Sequence, residues 1–129
     1  MSMHQNMQNQ AAALNSALGT RLEDTPHTGV KLDTGKPPME LLDAYALEQV
    51  AMVLEFGRRK YSAHNWRKGI SYGRLAGAAL RHVFAFLRGE DVDLESGLPH
   101  IAHAMCCLMF LLGMTRTMPE MDDRWKEAP

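Results

Sequence analysis

Ile101-Ala-His103-Ala-Met-Cys106-Cys107-Leu-Met-Phe-Leu-Leu112-Gly113-Met114 is the longest apolar stretch of this 129-residue chain, interrupted only by His103 and Gly113. A bilayer span needs about 20 apolar residues, so this segment is too short for one and suits a buried helix. Read with its flanks, it predicts a helix from Asp93 or Glu95 to Gly113, with Asp93 as N-cap and Pro99 in the first turns. The segment is apolar almost all round, which makes it the central, buried helix of the fold.

Working outward, Leu75, Ala76, Ala79, Leu80, Val83, Phe84 and Leu87 recur at helical spacing. They predict an inward-packing helix from Gly73 to Arg88, ended by Gly89. Gly77, Ala78 and Ala79 permit close helix approach. Further upstream, Leu41, Leu42, Tyr45, Val50, Val53, Leu54 and Gly57 give one broad face to a helix from Pro38 to Tyr61. β-branched residues are scarce and no strand pattern emerges. The expected fold is all-α, a compact bundle of about three or four helices. Residues 1–28 read as a flexible N-terminal tail, with a frayed helix as the alternative. Residues 29–114 form the helical domain, and 115–129 a tail or a short closing helix around Trp125.

Bulk properties narrow the function classes. A chain of this length is one domain. Its net charge of −1 supplies no global basic field for nucleic-acid binding. The two cysteines are adjacent inside the apolar run, which argues against a disulfide framework and for a reducing cytoplasm. No signal pattern opens the chain, and no segment predicts a membrane span.

The chemistry concentrates between the second and third predicted helices. Glu90, Asp91, Asp93 and Glu95 place four carboxylates within six residues, flanked by Arg81-His82 on one side and His100 and His103 on the other. The acidic residues alone are explained by the dipole at a helix N-terminus, and a lone His82 would be a satisfied core histidine. Together they suit a divalent cation. Carboxylates serve Mg²⁺, and the imidazoles tilt the choice toward Mn²⁺ or other transition metals. Glu55 is a weaker metal candidate. A second set runs from Gly57 to Gly69, with Arg58, Arg59, Lys60, Tyr61, Asn65, Trp66, Arg67 and Lys68. It reads either as a solvated linker anchored by Trp66 or as a pocket for anion and base. In the pocket reading, the cations neutralise phosphate, Tyr61 or Trp66 stacks on a planar base, and Asn65 pairs with its edge. Lys31-x-Asp33-x-Gly35-Lys36-Pro37-Pro38 is either a helix-entry turn or a loop that brings Lys31 and Lys36 to an anionic ligand. A metal beside such cations points to phosphoryl chemistry. No P-loop, kinase signature or GxSxG motif is present.

Those strings resemble a known family. The Lys31–Pro38 string, Phe56-Gly57-x-x-Lys60-Tyr61-x-x-x-Asn65-Trp66, Arg81-His82, and Gly89-Glu90-Asp91-x-Asp93-x-Glu95-Ser96-Gly97-x-x-His100-x-x-His103-Ala104 are similar to the phage dATP/dGTP diphosphohydrolases. These are MazZ-like relatives of the MazG all-α nucleoside triphosphate pyrophosphatases. The resemblance covers Lys31 to Leu112. It implies a MazG-like helical architecture, Mg²⁺ or Mn²⁺, and cleavage of purine deoxynucleoside triphosphates to monophosphate and pyrophosphate. It also implies a homo-oligomer, dimer or tetramer, and a phage protein in the host cytoplasm that remodels nucleotide pools for 2-aminoadenine DNA. One departure stands out. The ExxE and ExxD carboxylate motifs of MazG-type enzymes are missing from the second and third helices. His82 falls near the second Glu of the first motif, and His100 and His103 near the second motif, so only the location of the site transfers. The expected roles are Glu95 and His82 in catalysis and Glu90, Asp91, Asp93, Glu95, His100 and His103 on the metal. Lys31, Lys36, Lys60, Tyr61, Asn65, Trp66, Arg67 and Arg81 are expected on the substrate. The competing readings are an HD-type triphosphohydrolase, for which the required adjacent His-Asp pair is missing, and a non-catalytic nucleotide-binding helical module.

Overall fold

A computed structural model describes residues 2–18 and 28–128. The chain divides into two compact units, Met1–Leu42 and Asp43–Pro129. In the first, helix α1 spans Met3–Leu18, the helical alternative for the N-terminal segment. Residues 19–27 of the expected tail lie outside the described residues. Lys36 donates its N–H to the Asp33 carbonyl across a turn in which Gly35 takes a φ of 81°. A left-handed angle of that kind favours glycine.

The helix expected from Pro38 starts later. Pro38 precedes a single 3-10 turn at Met39–Leu41, Leu42 is extended, and α2 spans Ala44–Lys60. Asp43 sets this start: its carboxylate accepts the Ala46 N–H at 2.8 Å. That is an N-cap bond, and Pro38 offers nothing equivalent. A 3-10 turn at Asn65–Lys68 follows, then α3 at Tyr72–Leu87 and α4 at His100–Thr117. Among the described residues there is no strand, only an isolated antiparallel bridge between Val92 and Pro99. The all-α expectation holds. No described helix is long and apolar enough to cross a membrane.

Both ends of α4 differ from the expectation. Asp93 does cap, but it caps a turn: its carboxylate accepts the Ser96 N–H at 3.0 Å, and its carbonyl accepts the Gly97 N–H at 2.7 Å. Pro99, extended at ψ 135°, then precedes the first helical residue. At the other end the helix continues through Gly113 to Thr117. A Cβ at position 113 would stand 3.0 Å from the Trp66 ring. Gly113 is therefore a point of close approach and not a stop signal. The chain closes with a 3-10 turn at Pro119–Met121, whereas Trp125, expected at its centre, is 83 % exposed.

Helix α4 packs against both α2 and α3. Val50 and Val53 of α2 meet Ala102 and Cys106 in one cluster, with Leu98 and Phe110 against it. Tyr72 and Leu75 of α3 meet Met114 in a second, which Trp66, Ile70, Phe110, Met118 and Met121 complete. The Tyr72 hydroxyl is 3.1 Å from the Met114 carbonyl, to which it can donate, and pins the end of α4 to the start of α3. Two neighbours cannot cover an apolar helix on every side. Ile101, Met105, Leu108 and Leu112 remain exposed along one stripe of α4, as do Leu80, Phe84 and Leu87, expected inside, on α3.

Met114 is fully buried and Leu112, two residues away, is 68 % exposed. Met114→Ala should lower the unfolding free energy by about 2–5 kcal/mol in urea denaturation. Leu94→Ala, at a residue 95 % exposed in the loop between α3 and α4, should change it by no more than about 0.5 kcal/mol.

Candidate active site

The end of α3, the 89–99 loop and the start of α4 bring three imidazoles together. His82 on α3 and His100, the first residue of α4, place their Nδ1 atoms 2.9 Å apart. The His103 ring, one turn further along α4, stacks on His82 at 4.7 Å and 14°. Phe56 of α2 meets His103 edge-on at 6.4 Å. The small buried side chains Ala79, Ala85, Ala102 and Ala104 line the α3 and α4 surfaces nearby, and such residues let helices run close.

The loop supplies acids to this group. The Asp93 carboxylate reaches the Ser96 hydroxyl at 3.3 Å, and that oxygen lies 2.7 Å from His103 Nε2. The Leu98 N–H donates into the same hydroxyl at 3.2 Å. With Asp93 ionised, one consistent arrangement has Ser96 donating to Asp93 and accepting from His103 Nε2–H. Glu90 approaches His100 Nε2 at 3.7 Å, and the Asp91 carbonyl accepts the His100 N–H at 2.9 Å. Glu95 is drawn instead to Lys60 of α2, Nζ to Oε1 at 2.7 Å. One ligand atom from each of His82, Asp93 and His100 lies within 4.8 Å of the other two, a group able to hold a metal ion.

Beside this group opens a cleft of about 560 Å³. Its lining includes His82, Asp93, Glu95 and His103, and, from the end of α2 and the turn after it, Glu55, Arg58, Lys60, Tyr61, His64, Asn65, Trp66 and Arg67. A second hollow holds Glu90, Asp91 and His100, and Asp93 and Glu95 border both hollows. Of the expected substrate residues, Lys60, Tyr61, Asn65, Trp66 and Arg67 therefore converge. Arg81 is exposed on α3 and is not among the residues lining either hollow. Lys31 and Lys36 belong to the first unit. Phe110 stacks on Trp66 at 4.7 Å and the Arg67 guanidinium lies over it at 4.4 Å, so Tyr61, 66 % exposed, is the freer ring.

Sequence reasoning left Ser96, His64 and the two cysteines out of the site. Asp-x-x-Ser at 93–96 was the available turn signal for Ser96. His64 takes a left-handed φ of 61° and accepts a bond from Arg67 Nε at 2.9 Å. Cys106 and Cys107 line the cleft wall. Burial pushes the Cys106 thiol up to about 12, so it serves as inert lining.

Electrostatics divide the cleft. The Arg58 hydrogen bond, with Arg59 beside it, holds Glu55 below its ordinary pKa. The Glu95 hydrogen bond raises Lys60. Burial lowers His82, helped by positive charge on His103 and His100 and by Arg81, with Asp93 opposing. Burial also lowers His103, helped by His100 and opposed by Asp93 and Glu95. Burial acts to raise Asp93, but the Ser96 N–H and hydroxyl and the two imidazoles outweigh it and lower the pKa.

These directions fix a pH dependence for the metal-free chain. His82 and His103 bind protons more weakly folded than unfolded, so protonating them favours unfolding. The penalty is absent well above the unfolded value of about 6.5 and grows as pH falls through it. Asp93 acts in a separate window: its contribution is present above about pH 4 and is lost below. The urea midpoint should fall between pH 7.5 and 5.5, and the fall should shrink in His103→Gln; equal slopes in both proteins would contradict the assignment.

A dATP/dGTP diphosphohydrolase of Salmonella phage PMBT28 is 43 % identical to this chain over 102 residues. The match covers 78 % of this chain and 35 % of the relative, so the chain spans about a third of that protein's length. No solved structure matches the chain. The family model described as dATP/dGTP diphosphohydrolase, N-terminal, matches residues 26–124, taking in α2, α3, α4 and every residue of the cleft. The chain belongs to the dATP/dGTP diphosphohydrolase N-terminal family.

Proposed function

We propose that this chain carries a metal-dependent nucleotide pyrophosphohydrolase site that cuts purine deoxynucleoside triphosphates, dGTP and dATP, between the α and β phosphates. The observation that carries the reading is the mixed lining of one cleft: imidazoles and carboxylates share a space of about 560 Å³ with cations and aromatic rings. That volume is of the size small-molecule sites use. The activity named for the phage relative supports the substrate class.

Of the expected Mg²⁺ and Mn²⁺, the donor set fits the imidazole-tolerant Mn²⁺ better, because His82, Asp93 and His100 converge from two helices and a loop. When bound, such an ion supplies charge neutralisation at phosphate and a water of lowered pKa. The chain's own groups do the rest. Arg58, Lys60 and Arg67 neutralise the triphosphate. Tyr61 stacks on the base and Asn65 pairs with its edge. Glu95, fixed by Lys60, takes the proton as a water oxygen attacks the α phosphorus. The bond from that phosphorus to the bridging oxygen breaks, and pyrophosphate leaves. His103, held by Ser96, keeps His82 in place through their stacked rings.

The exposed stripes Ile101–Met105–Leu108–Leu112 and Leu80–Phe84–Leu87 support a homo-oligomer, since large apolar patches mark association surfaces. The phage origin of the relative supports a role in the host cytoplasm, where dGMP would feed synthesis of 2-aminoadenine nucleotide and dATP would be depleted.

Incubation with dGTP or dATP and Mn²⁺ or Mg²⁺ should yield the monophosphate and pyrophosphate by ³¹P NMR. Intact triphosphate would instead establish HD-type chemistry, and unchanged nucleotide a binding module. Glu95→Gln should lower kcat by about 10²–10⁴-fold with the helical circular dichroism retained; undiminished turnover would remove Glu95 from the reaction.

A further inference from the structure

The acidic and imidazole residues around the 89–99 loop are not equivalent, and their contacts sort them. Glu95 is committed to Lys60 at 2.7 Å. His103 Nε2 is committed to Ser96 at 2.7 Å. Asp91 engages His100 through its backbone carbonyl, and its side chain is exposed. Glu90 stands off at 3.7 Å from the His100 ring. His82 and His100 bond to each other, Asp93 accepts from Ser96 through Oδ1, and these three alone bring ligand atoms within 4.8 Å of one another among the described residues.

We infer that His82, Asp93 and His100 form a single seat for one transition-metal divalent ion, of the two-imidazole, one-carboxylate type, which Mg²⁺ alone does not fill. Two observations carry this. The first is the spacing of the imidazoles. Ligand nitrogens about 2.0–2.1 Å from a metal and at right angles to each other stand about 3 Å apart, and the two Nδ1 atoms are 2.9 Å apart. A seat for the ion therefore needs little rearrangement of the rings. The second is donor chemistry. Mg²⁺ takes oxygen ligands and dehydrates reluctantly, whereas imidazole suits Mn²⁺, Fe²⁺, Co²⁺ and Zn²⁺. Three protein ligands on one side leave positions open for water and phosphate oxygens. The surroundings support the seat: His103 stacks on His82 and is fixed by Ser96, which is itself bonded to Asp93. Outer partners of this kind hold ligands in orientation. His103 thus positions the seat without joining it.

This inference deepens the proposed metal requirement and rests on it only for the ion's part in turnover, so the test is made on the full chain without nucleotide. Calorimetry with Co²⁺ or Mn²⁺ alone, together with the visible spectrum of the Co²⁺ form, should show one site per chain. Mg²⁺ should bind at least about tenfold more weakly. Asp93→Asn and His82→Gln should each weaken Co²⁺ by at least the ~10-fold that loss of an outer partner costs, and should change its spectrum. His103→Gln should keep the spectrum and lose less affinity than either ligand variant, about the tenfold that an outer partner contributes. His100 is only 8 % exposed, so the two less buried ligands carry the test, with circular dichroism checking that each variant folds. Unchanged Co²⁺ affinity in folded Asp93→Asn and His82→Gln would overturn the seat and leave the hydrolase reading standing. An equal loss in His103→Gln would overturn the choice of ligands. Co²⁺ held as expected by a chain that leaves every nucleotide intact would confirm the seat and overturn the hydrolase reading.

Discussion

One apolar helix with two neighbours holds the second unit together. Helix α4 offers Ala102 and Cys106 to α2 and Met114 to α3, and Phe110 touches both clusters. Its N-terminal end carries His100, buried to 8 % exposure on an otherwise apolar surface. A buried imidazole without a partner is costly. Helix α3 answers with His82 and the loop with Glu90 and the Asp91 carbonyl. Among the described residues no buried side-chain polar atom is left without a hydrogen bond. The demand for polar partners at one end of the core therefore assembles the same groups that give the cleft its chemistry.

The helices were legible because their signal is local. Apolar spacing over Val50–Leu54, Leu75–Leu87 and Ile101–Met114 placed three helices. Where the reading failed, the deciding fact was a contact distant in sequence. Gly113 has the look of a terminator until Trp66, 47 positions away (113 − 66 = 47), is seen against it. Asp93 carries a capping signal that a turn uses equally well, and only the Asp93 N–H bond to the Leu98 carbonyl shows which of the two forms. Periodicity marks a face as apolar but does not say whether this chain covers it. Leu80, Phe84 and Leu87 were read inward for that reason and stand exposed.

The candidate site was legible as a neighbourhood and not as a set of roles. His82, Asp93, Glu95, His100 and His103 do gather at one end of the bundle, facing Lys60, Tyr61, Asn65 and Arg67. Composition could not say that Glu95 would be drawn across to Lys60 or that Ser96 would stand between Asp93 and His103. The cations of the cleft lining are preset in the same way: Glu55 holds Arg58, and His64 holds Arg67. These cations are oriented before any anion arrives, which reduces the ordering that binding must supply.

The close approach of Gly113 to Trp66 ties two properties that usually vary apart. The Trp66 ring rests on α4 at 3.0 Å from where a Cβ would stand, and it carries Arg67 on the cleft side of the same short turn. The basic wall is thereby seated directly on the middle of the core, with no intervening layer to absorb a displacement. A methyl group added at position 113 would be transmitted to the mouth of the cleft as a shift in where its positive charge sits. Core volume and the placement of the Arg67 charge are thereby coupled through one missing carbon.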